Sequence, residues 1–236
     1  MSAGSVSDDV AVVIPARNEA DRVQATVTAA LGIPGVAVVI VVDDGSKDGT
    51  ATAARQAGAV VTRHARNRGK GAAMETGAEA ARLLDQREHR ERPRHLLFLD
   101  ADLAGTAALA GPLTGPVLAG TADMTIAVFA TTVKLGGHGL VVGLSGTGIR
   151  RATGWQPAQP LNGQRCLTRE AFEAARPLAR GWGVETGLTI DLLRKGLRVT
   201  EVQVELAHRA TGTGMRAQLH RVRQLTDVAR ALAARR

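Results

Sequence analysis

Short hydrophobic runs alternate with polar, amphipathic stretches along the first hundred residues of the chain. The runs from Val10 to Ile14 and from Val36 to Val42 each stop at a proline or a polar residue, as buried strands of a parallel sheet do. The stretches between the runs have helical spacing and tend to end at glycine. This pattern predicts strands at 10–14, 36–42, 60–61 and 95–99, and helices at 18–31, 49–57 and 69–85. Such alternation is typical of an α/β fold with a doubly wound, mostly parallel, Rossmann-like sheet.

The second half of the chain is less regular. Residues 86–94 predict a charged loop, residues 104–120 are rich in Gly, Pro and Ala, and the apolar, glycine-rich segment 135–149 predicts a loop or a loose helix. We expect strands at 124–129, 162–167 and 197–206, and helices at 169–175, 184–195 and from about 216 onwards. The last helix is basic and amphipathic, with one face made of Leu219, Val222, Leu225, Val228 and Leu232. Because no linker interrupts the pattern, we expect a disordered segment at 1–9 and a single domain at 10–236.

Polar clusters follow three of the predicted strands at the points where those strands end. They span residues 15–19, 43–46 and 100–102. In a doubly wound sheet, ligands bind beyond the carboxyl ends of the parallel strands. The sequence therefore predicts one ligand site, at this edge of the sheet.

Composition narrows the functional classes. Hydrophobic residues make up 44% of the 236 residues, enough for one core, but the chain has only three Phe, two Trp and no Tyr. Scarce aromatic residues count against a single-stranded nucleic-acid-binding module. The net charge of +8 favours polyanionic partners such as nucleotide phosphates or anionic lipid headgroups, with a solvated arginine-rich surface as the alternative.

The expected location follows from what the sequence lacks. Cys166 is the single cysteine, which excludes an intrachain disulfide framework and suits a reducing compartment. Residues 1–9 are polar and do not resemble a signal peptide, and no apolar run approaches the ~20 residues that span a bilayer. We therefore expect a cytoplasmic protein that can lie on the inner face of the membrane without crossing it.

Two motifs carry candidate chemistry. Asp100 and Asp102 follow a strand, and carboxylates at this spacing can converge on one Mg²⁺ or Mn²⁺ ion, although an acidic turn has the same pattern. The basic segment from Arg66 to Gly71 contains two glycines and leads into a helix, so that its backbone and Lys70 would favour a phosphate; a basic turn is the alternative.

Four motifs together resemble those of family 2-type glycosyltransferases, which have the GT-A fold. They are Ile14-Pro-Ala-Arg-Asn-Glu19, Val42-Asp-Asp-Gly-Ser-Lys-Asp-Gly-Thr50, Asn67-Arg-Gly-Lys-Gly71 and Leu99-Asp-Ala-Asp-Leu103. The resemblance is strongest over 10–103, which would be the nucleotide-sugar-binding half, and weaker over the acceptor half at 104–214. Residues 215–236 would form the basic C-terminal helix.

The resemblance implies roles for individual residues. Asp44 would contact the base, Lys70 would face a phosphate or the acceptor, and Asp102 would be the main ligand of Mg²⁺ or Mn²⁺. Asp100 would lie near the ribose or the metal. The implied nucleotide-sugar site comprises Pro15, Ala16, Arg17, Glu19, Asp44, Lys70, Asp100 and Ala101.

One subfamily that the second half resembles is the glucosyl-3-phosphoglycerate synthases. The similar segments are 160–163, 181–188 and 207–209, which would make His208 a third metal ligand and Glu185 a residue that binds the sugar or the acceptor. The acceptor loop departs from that pattern, because this chain reads Gly139-Leu-Val-Val142 where those enzymes read Gly-Arg-Val-Thr. The residues assigned to the acceptor are Arg150, Arg151, Gly163, Glu185 and Arg209, with Arg150 and Arg151 as substitutes for the missing arginine.

The other subfamily is the polyprenyl-phosphate hexose synthases. The resemblance lies in the Asp-Ala-Asp-Leu motif, in the segment 196–202, and in Arg209 followed by Gly212, but Ala104 stands where those enzymes have a Gln ligand. The apolar segment 135–149 and the basic last helix suit contact with a membrane surface. Packing of both segments on the domain is the alternative, and a homodimer is also left open.

The sequence leaves the acceptor chemistry open. Many inverting relatives have an aspartate base directly after the residue that matches Glu185, and here that position is Thr186. A phosphate acceptor, which is already ionised, or a retaining mechanism would need no such base. We expect a metal-dependent enzyme that moves a hexose from a UDP- or GDP-linked sugar to a phosphorylated small molecule or a polyprenyl phosphate, with Glu185, Lys70 and Asp102 as its catalytic residues. A sugar-phosphate nucleotidyltransferase and a basic nucleic-acid-binding module are the alternatives.

Overall fold

The computed structural model describes residues 9–129, 139–206 and 215–235, and for 215–222 it describes the backbone alone. One seven-stranded sheet of order β3-β2-β1-β4-β6-β5-β7 forms the centre of this part of the chain. The strands are β1 (Val10–Ala16), β2 (Val36–Asp43), β3 (Val60–Arg63), β4 (His95–Phe98), β5 (Met124–Phe129), β6 (Arg165–Leu167) and β7 (Val199–Val204). The helices are α1 (Ala20–Leu31), α2 (Thr50–Gln56), α3 (Lys70–Arg87), α4 (Gly115–Leu118), α5 (Gly139–Thr153), α6 (Arg169–Ala175), α7 (Val184–Arg194) and α8 (Met215–Ala233). Two 3₁₀ helices lie at Ala104–Leu113 and Gly181–Gly183.

The predicted α/β fold with a mostly parallel sheet is confirmed. Strand β1 is at the centre of the first half and pairs in parallel with β2 on one side and with β4 on the other. The register places Ala16 opposite Asp43, so that the polar clusters after β1 and β2 meet at the same edge.

Strand β6 is the exception to the parallel arrangement, because it lies antiparallel between β4 and β5. Phe98 pairs with Arg165 at the end of β4, so residues just before Arg165 extend past the carboxyl end of β4. An antiparallel strand thus brings its beginning to the edge where the parallel strands end. The strand predicted at 162–167 forms only at Arg165–Leu167.

The sheet separates two hydrophobic layers. Alternate residues of β1 point to opposite faces, as the period of a strand requires. One face packs against α1, α2 and the longer 3₁₀ helix, and the other packs against α3, α6 and α7. On the second face the rings of Phe98 and Phe172 stack with centroids 5.5 Å apart. Small residues on α3 let that helix approach β1 closely, since Gly77 lies directly over Val13.

Several local predictions need correction. Helix α1 begins at Ala20 and not at residue 18, because Asn18 has a φ of 56°, which is outside the helical region. The longer 3₁₀ helix and α4 occupy most of the segment that was predicted only as rich in Gly, Pro and Ala. Residues 139–149 of the segment predicted as a loop or a loose helix belong to a regular helix, α5, which continues to Thr153.

The segment 86–94 also differs from a simple charged loop. Helix α3 continues to Arg87, and Arg94 is buried. The Arg94 guanidinium lies 2.6 Å from the buried carboxylate of Asp85. A buried charge needs such a partner, so this ion pair explains why part of a strongly charged segment turns inward.

The second half of the C-terminal helix α8 packs on the domain. Val228 is fully buried, and Leu232 lies against Gly148 of α5. Arg235, just after the helix, forms an ion pair of 2.5 Å with Asp191 of α7. Leu225 is 38% exposed, while Leu219 and Val222 of the predicted face lie outside the described side chains. Among the described residues, no helix combines the length and the hydrophobicity needed to cross a membrane.

Candidate active site

The ends of β1 and β2 interlock through backbone and side-chain hydrogen bonds. The Asp44 amide donates to the carbonyl of Ala16 over 2.9 Å. The Asn18 amide donates to the hydroxyl of Ser46, also over 2.9 Å. These bonds fix the two polar clusters relative to one another.

The residues predicted to hold the nucleotide after β1 lie together at this edge. Ala16 is buried, Pro15 and Glu19 are partly buried, and Arg17 is exposed. The Glu19 amide donates to the hydroxyl of Thr50, the first residue of α2. The site therefore presents backbone and small side chains toward the edge, with Arg17 as an exposed cation.

Asp44 fastens the basic loop to the end of β2. Its Oδ1 atom accepts hydrogen bonds from the Arg68 amide over 2.7 Å and from His64 Nδ1 over 2.7 Å. Its Oδ2 atom accepts from the Gly69 amide over 2.8 Å. The predicted base contact of Asp44 stays a prediction, but its carboxylate is already part of a buried network within the chain.

The other ring nitrogen of His64 lies 2.9 Å from the hydroxyl of Thr76 on α3. His64 was missed in the sequence, where nothing distinguishes it from any histidine at a strand end.

Lys70 lies at the centre of the candidate site. As the first residue of α3, it places its Nζ atom 2.8 Å from Asp100 Oδ1 and 2.9 Å from Glu185 Oε1. The lysine side chain is 22% exposed. Burial disfavours its ammonium form, but the two carboxylates outweigh that effect and raise the pKa of Lys70. Three residues predicted from separate motifs, on α3, after β4 and on α7, are therefore brought together around one fixed positive charge.

Gly163 and Gln164 form the wall of this cluster. The buried amide of Gln164 donates from Nε2 to Asp100 Oδ2 over 2.7 Å. A Cβ atom at Gly163 would lie 2.3 Å from Lys70 Nζ, so a larger residue here would displace the ammonium group from its position between the two carboxylates. Gly163 had been assigned to the acceptor, whereas Gln164 was missed because its contact with Asp100 joins positions 64 residues apart.

Glu185 is buried in the first turn of α7. Its carbonyl oxygen accepts a hydrogen bond from the fully buried guanidinium of Arg165 over 3.0 Å. The next residue, Thr186, is also fully buried, and its hydroxyl lies 2.7 Å from that of Ser145 on α5. Thr186 is therefore turned toward a neighbouring helix, and it offers no base beside Glu185.

The glycine at the start of α3 has a packing role. A Cβ atom at Gly71 would lie 2.7 Å from the carbonyl oxygen of Ala179. The sequence suggested that Gly71 allows the backbone to approach a phosphate closely. The structure explains this glycine by the approach of another chain segment instead.

Asp102 follows Asp100 at the same edge. Two backbone carbonyls hold this loop in place: that of Ala101 accepts from the hydroxyl of Thr26, and that of Asp102 accepts from Arg22. Ala101 is buried and Asp102 is partly buried. No group of three Asp, Glu, His or Cys side chains within metal-binding distance occurs among the described residues.

That arrangement fits a metal shared with a substrate. Mg²⁺ is usually held by one or two carboxylates together with substrate phosphates, and not by an all-protein cage. Asp102 supplies a carboxylate of this kind at the ligand edge. His208, the predicted third ligand, and Arg209 lie outside the described residues. Arg150 and Arg151 are exposed in the last turn of α5, and no contact in the described part of the chain joins them to Lys70 or Glu185.

Comparison with known proteins identifies the family. Residues 11–136, more than half of the chain, match the family model of glycosyl transferase family 2. The chain belongs to glycosyl transferase family 2. Membership confirms the predicted class of enzyme, a glycosyltransferase, and decides against both a nucleotidyltransferase and a nucleic-acid-binding module.

Two known proteins are similar to the chain over different lengths. The chain is 29% identical to glycosyltransferase AglJ of Haloferax volcanii over 210 residues, which is 87% of this chain and 65% of that protein. It is 38% identical over 95 residues to an uncharacterized protein of Methanocaldococcus jannaschii, over 40% of this chain and 36% of that protein. The chain therefore spans less than two thirds of the length of either relative.

Solved structures confirm the GT-A fold. The structure of glucosyl-3-phosphoglycerate synthase from Mycobacterium tuberculosis with Mn²⁺, UDP and phosphoglyceric acid matches with a TM-score of 0.75 and 26% identity, over 96% of this chain and 78% of that one. A structure of the same synthase with Mg²⁺ and UDP matches with a TM-score of 0.71 and 26% identity, over 96% and 78% of the two chains. A divalent metal and UDP thus accompany this fold in that similar synthase.

Proposed function

We propose that this glycosyltransferase moves a hexose from a UDP- or GDP-linked sugar to an acceptor that carries a phosphate group, with Mg²⁺ or Mn²⁺ bound. The observation that carries the proposal is the Lys70 ammonium, held between Asp100 and Glu185 at the carboxyl edge of the sheet. A fixed positive charge at this place suits a reaction in which a nucleoside diphosphate departs, because negative charge develops on the leaving group.

The nucleotide would bind over the ends of β1 and β2. Pro15, Ala16, Arg17 and Glu19 surround the first of these ends, and Asp44 stands at the second. The interlocked hydrogen bonds between the two clusters give the base and the ribose a preformed surface. Ala101 lies at the neighbouring end of β4, where the ribose and the diphosphate would continue toward the metal.

Asp102 would hold the metal ion, with Asp100 at the ribose side and His208 as the third predicted ligand. The metal would supply neutralisation of the diphosphate as it leaves. Asp100 takes hydrogen bonds from Lys70 and from Gln164, so its carboxylate is oriented by the chain before any ligand binds.

Lys70 would contact the diphosphate, and Glu185 would orient the sugar or the acceptor. The lysine remains charged because two carboxylates face it, and a charged lysine binds phosphate as a point charge. Arg165 donates a hydrogen bond to the backbone carbonyl of Glu185 and thereby fixes the start of α7 against the site. Both residues reach the same point from different elements.

A phosphorylated acceptor suits the absence of a base next to Glu185. Thr186 is buried against Ser145, so an acceptor hydroxyl would find no carboxylate there to take its proton. A phosphate oxygen is already ionised and needs none. The similar synthase was solved with phosphoglyceric acid, which carries both a phosphate and a hydroxyl. An acceptor of that kind would attack through its hydroxyl, and the departing diphosphate would then take the proton, as the retaining alternative allows. Gly163 lies against Lys70 and would face the acceptor, and Arg150, Arg151 and Arg209 are the proposed cations for the acceptor phosphate.

A two-stage experiment tests the proposal. Thermal shift with UDP, GDP and their hexose conjugates, each with and without Mn²⁺, identifies the donor. Mass spectrometry then follows transfer to 3-phosphoglycerate and to a short polyprenyl phosphate. Metal-dependent stabilisation by one donor class and a new hexosylated phosphate product are expected. Failure of every nucleotide to stabilise the protein, or transfer only to acceptors without phosphate, would overturn the proposal.

A further inference from the structure

Asp100 is held by two donors of different chemistry. Lys70 donates to Oδ1 over 2.8 Å, and the Gln164 amide donates to Oδ2 over 2.7 Å. The lysine is charged and comes from α3, whereas the glutamine is neutral and comes from the segment before β6. The carboxylate is thus gripped from two sides of the site.

Gln164 is itself rigidly placed. The residue is fully buried, and its backbone N–H donates to Asn162 Oδ1 over 3.0 Å. Its backbone carbonyl oxygen accepts from the backbone N–H of Ala127 on β5 over 3.0 Å. Because the backbone is tied to β5 and to its own turn, the side chain needs little reorganisation to reach Asp100.

The charges of the cluster explain why a neutral donor matters. Asp100 and Glu185 contribute two negative charges and Lys70 one positive charge, while Gln164 contributes none. When a diphosphate arrives, it competes with both carboxylates for the Lys70 ammonium. A neutral amide has no comparable attraction to the diphosphate, so it can stay on Asp100.

We propose that Gln164 is a positioning residue that keeps Asp100 in place while the Lys70 ammonium group exchanges its contact with Asp100 for one with the departing diphosphate. This inference rests on the proposed function of the same site. Without Gln164, Asp100 would lose a donor that does not compete for the diphosphate, and the demands of Asp100 and the diphosphate on the Lys70 ammonium would conflict. Loss of the amide would therefore reduce the rate of transfer more than the binding of the donor.

A double-mutant cycle tests this role. Gln164→Met keeps a similar side-chain length and removes the donor, and Asp100→Ala removes the acceptor. In the otherwise unchanged protein, Gln164→Met should lower kcat about 10- to 100-fold, as loss of a residue that orients a site group does, with a smaller change in the donor KM. In the Asp100→Ala background, the same change should alter kcat by no more than about twofold, because the two residues act as one unit.

The controls separate positioning from folding. Gln56→Glu, at an exposed position at the end of α2, should leave kcat unchanged. Gln164→Glu places a third carboxylate by Lys70 and should lower kcat more than Gln164→Met does.

Urea unfolding of the four proteins in the cycle reports the contact independently of turnover, and the changes in the free energy of unfolding should also be non-additive. Non-additive stability with an additive effect on kcat would reduce Gln164 to a structural residue and overturn the inference. Additivity in both measurements would overturn the contact itself. Absence of turnover in the unmodified protein with every donor would instead mean that the proposed function has failed.

Discussion

Arg165 donates a hydrogen bond from Nη1 to the carbonyl oxygen of Glu185 over 3.0 Å, and thereby ties β6 to the first turn of α7. The same guanidinium donates to the carbonyls of Asn162 and Pro160 and to the hydroxyl of Thr189. Burial lowers the pKa of Arg165 to about 10, which is still high enough to keep it charged near neutral pH. One buried arginine therefore organises both the segment that carries Gln164 and the helix that carries Glu185.

Arg165→Met should lower the free energy of unfolding by about 3–5 kcal/mol, because several buried oxygen atoms would lose their donor at once. Urea unfolding followed by circular dichroism measures the change. Arg198→Met is the matched control, since the Arg198–Asp123 ion pair is exposed on the arginine side and should contribute far less to stability than the buried contacts of Arg165. Equal losses in the two variants would contradict the organising role of Arg165.

Lys70→Met should lower kcat by about 10²- to 10³-fold, the usual effect of removing one group that stabilises developing negative charge. The substitution also leaves Asp100 and Glu185 without the ammonium between them, so the melting temperature should fall. Turnover is therefore measured per folded protein. Lys195→Met, at the exposed end of α7, should retain its activity. A fall in stability with kcat unchanged would limit Lys70 to a structural ion pair.

Asp102→Ala should abolish the part of nucleotide binding that depends on metal. Titration calorimetry of UDP or GDP, with Mn²⁺ and with a chelator, isolates that part, because a metal that bridges the protein and the diphosphate needs its protein ligand. Asp21→Ala, on the exposed side of α1, serves as the control for loss of one carboxylate. Full metal dependence in the Asp102 variant would mean that the ion is held elsewhere.

Cys166 should be unreactive toward a thiol reagent in the folded protein. Burial raises the pKa of its thiol to about 12, whereas an unfolded cysteine titrates near about 8.5. At alkaline pH below that folded value, only the unfolded chain carries a thiolate, so labelling should follow global unfolding. The sign of the shift also means that this thiol costs stability as the pH rises above about 8.5, with no effect at lower pH. Rapid labelling without urea would show that the interior of the sheet opens locally.

The sequence predicts the site best where a polar motif comes directly after a hydrophobic strand. Strands β1, β2 and β4 are uninterrupted hydrophobic runs, and parallel topology alone places the residues after them at one edge. Lys70, Asp100 and Glu185 could be singled out from their motifs. Their ion pairs could not, because side-chain distances depend on how α3 and α7 pack on the sheet.

Helix α5 shows why the second half was harder to predict. Its glycines suggest a loop, since glycine is a poor helix former in isolation. In the structure Gly148 lies against Leu232 of α8, and Gly146 lies near Pro160. A Cβ atom at Gly148 would lie 2.4 Å from the Leu232 side chain, whereas Gly146 makes only ordinary contacts. No local pattern reveals which segments will pack together. For the same reason the sequence does not reveal the contact of Arg165 with Glu185 or that of Gln164 with Asp100, because each joins distant parts of the chain.

The antiparallel direction of β6 has a consequence for how this enzyme can diversify. The nucleotide motifs lie after the ends of parallel strands, whereas Gly163 and Gln164 lie before the beginning of β6. The turn at 154–159 can therefore change in length or composition, while residues 160–164 keep their hydrogen bonds to Arg165 and Asp100 and the pairing of Arg165–Leu167 with its neighbours stays constant. Because the proposed acceptor side lies along this turn, a change there could alter what receives the sugar without rebuilding the nucleotide motifs that deliver it, and a protein engineer who wants another acceptor would begin at the same turn.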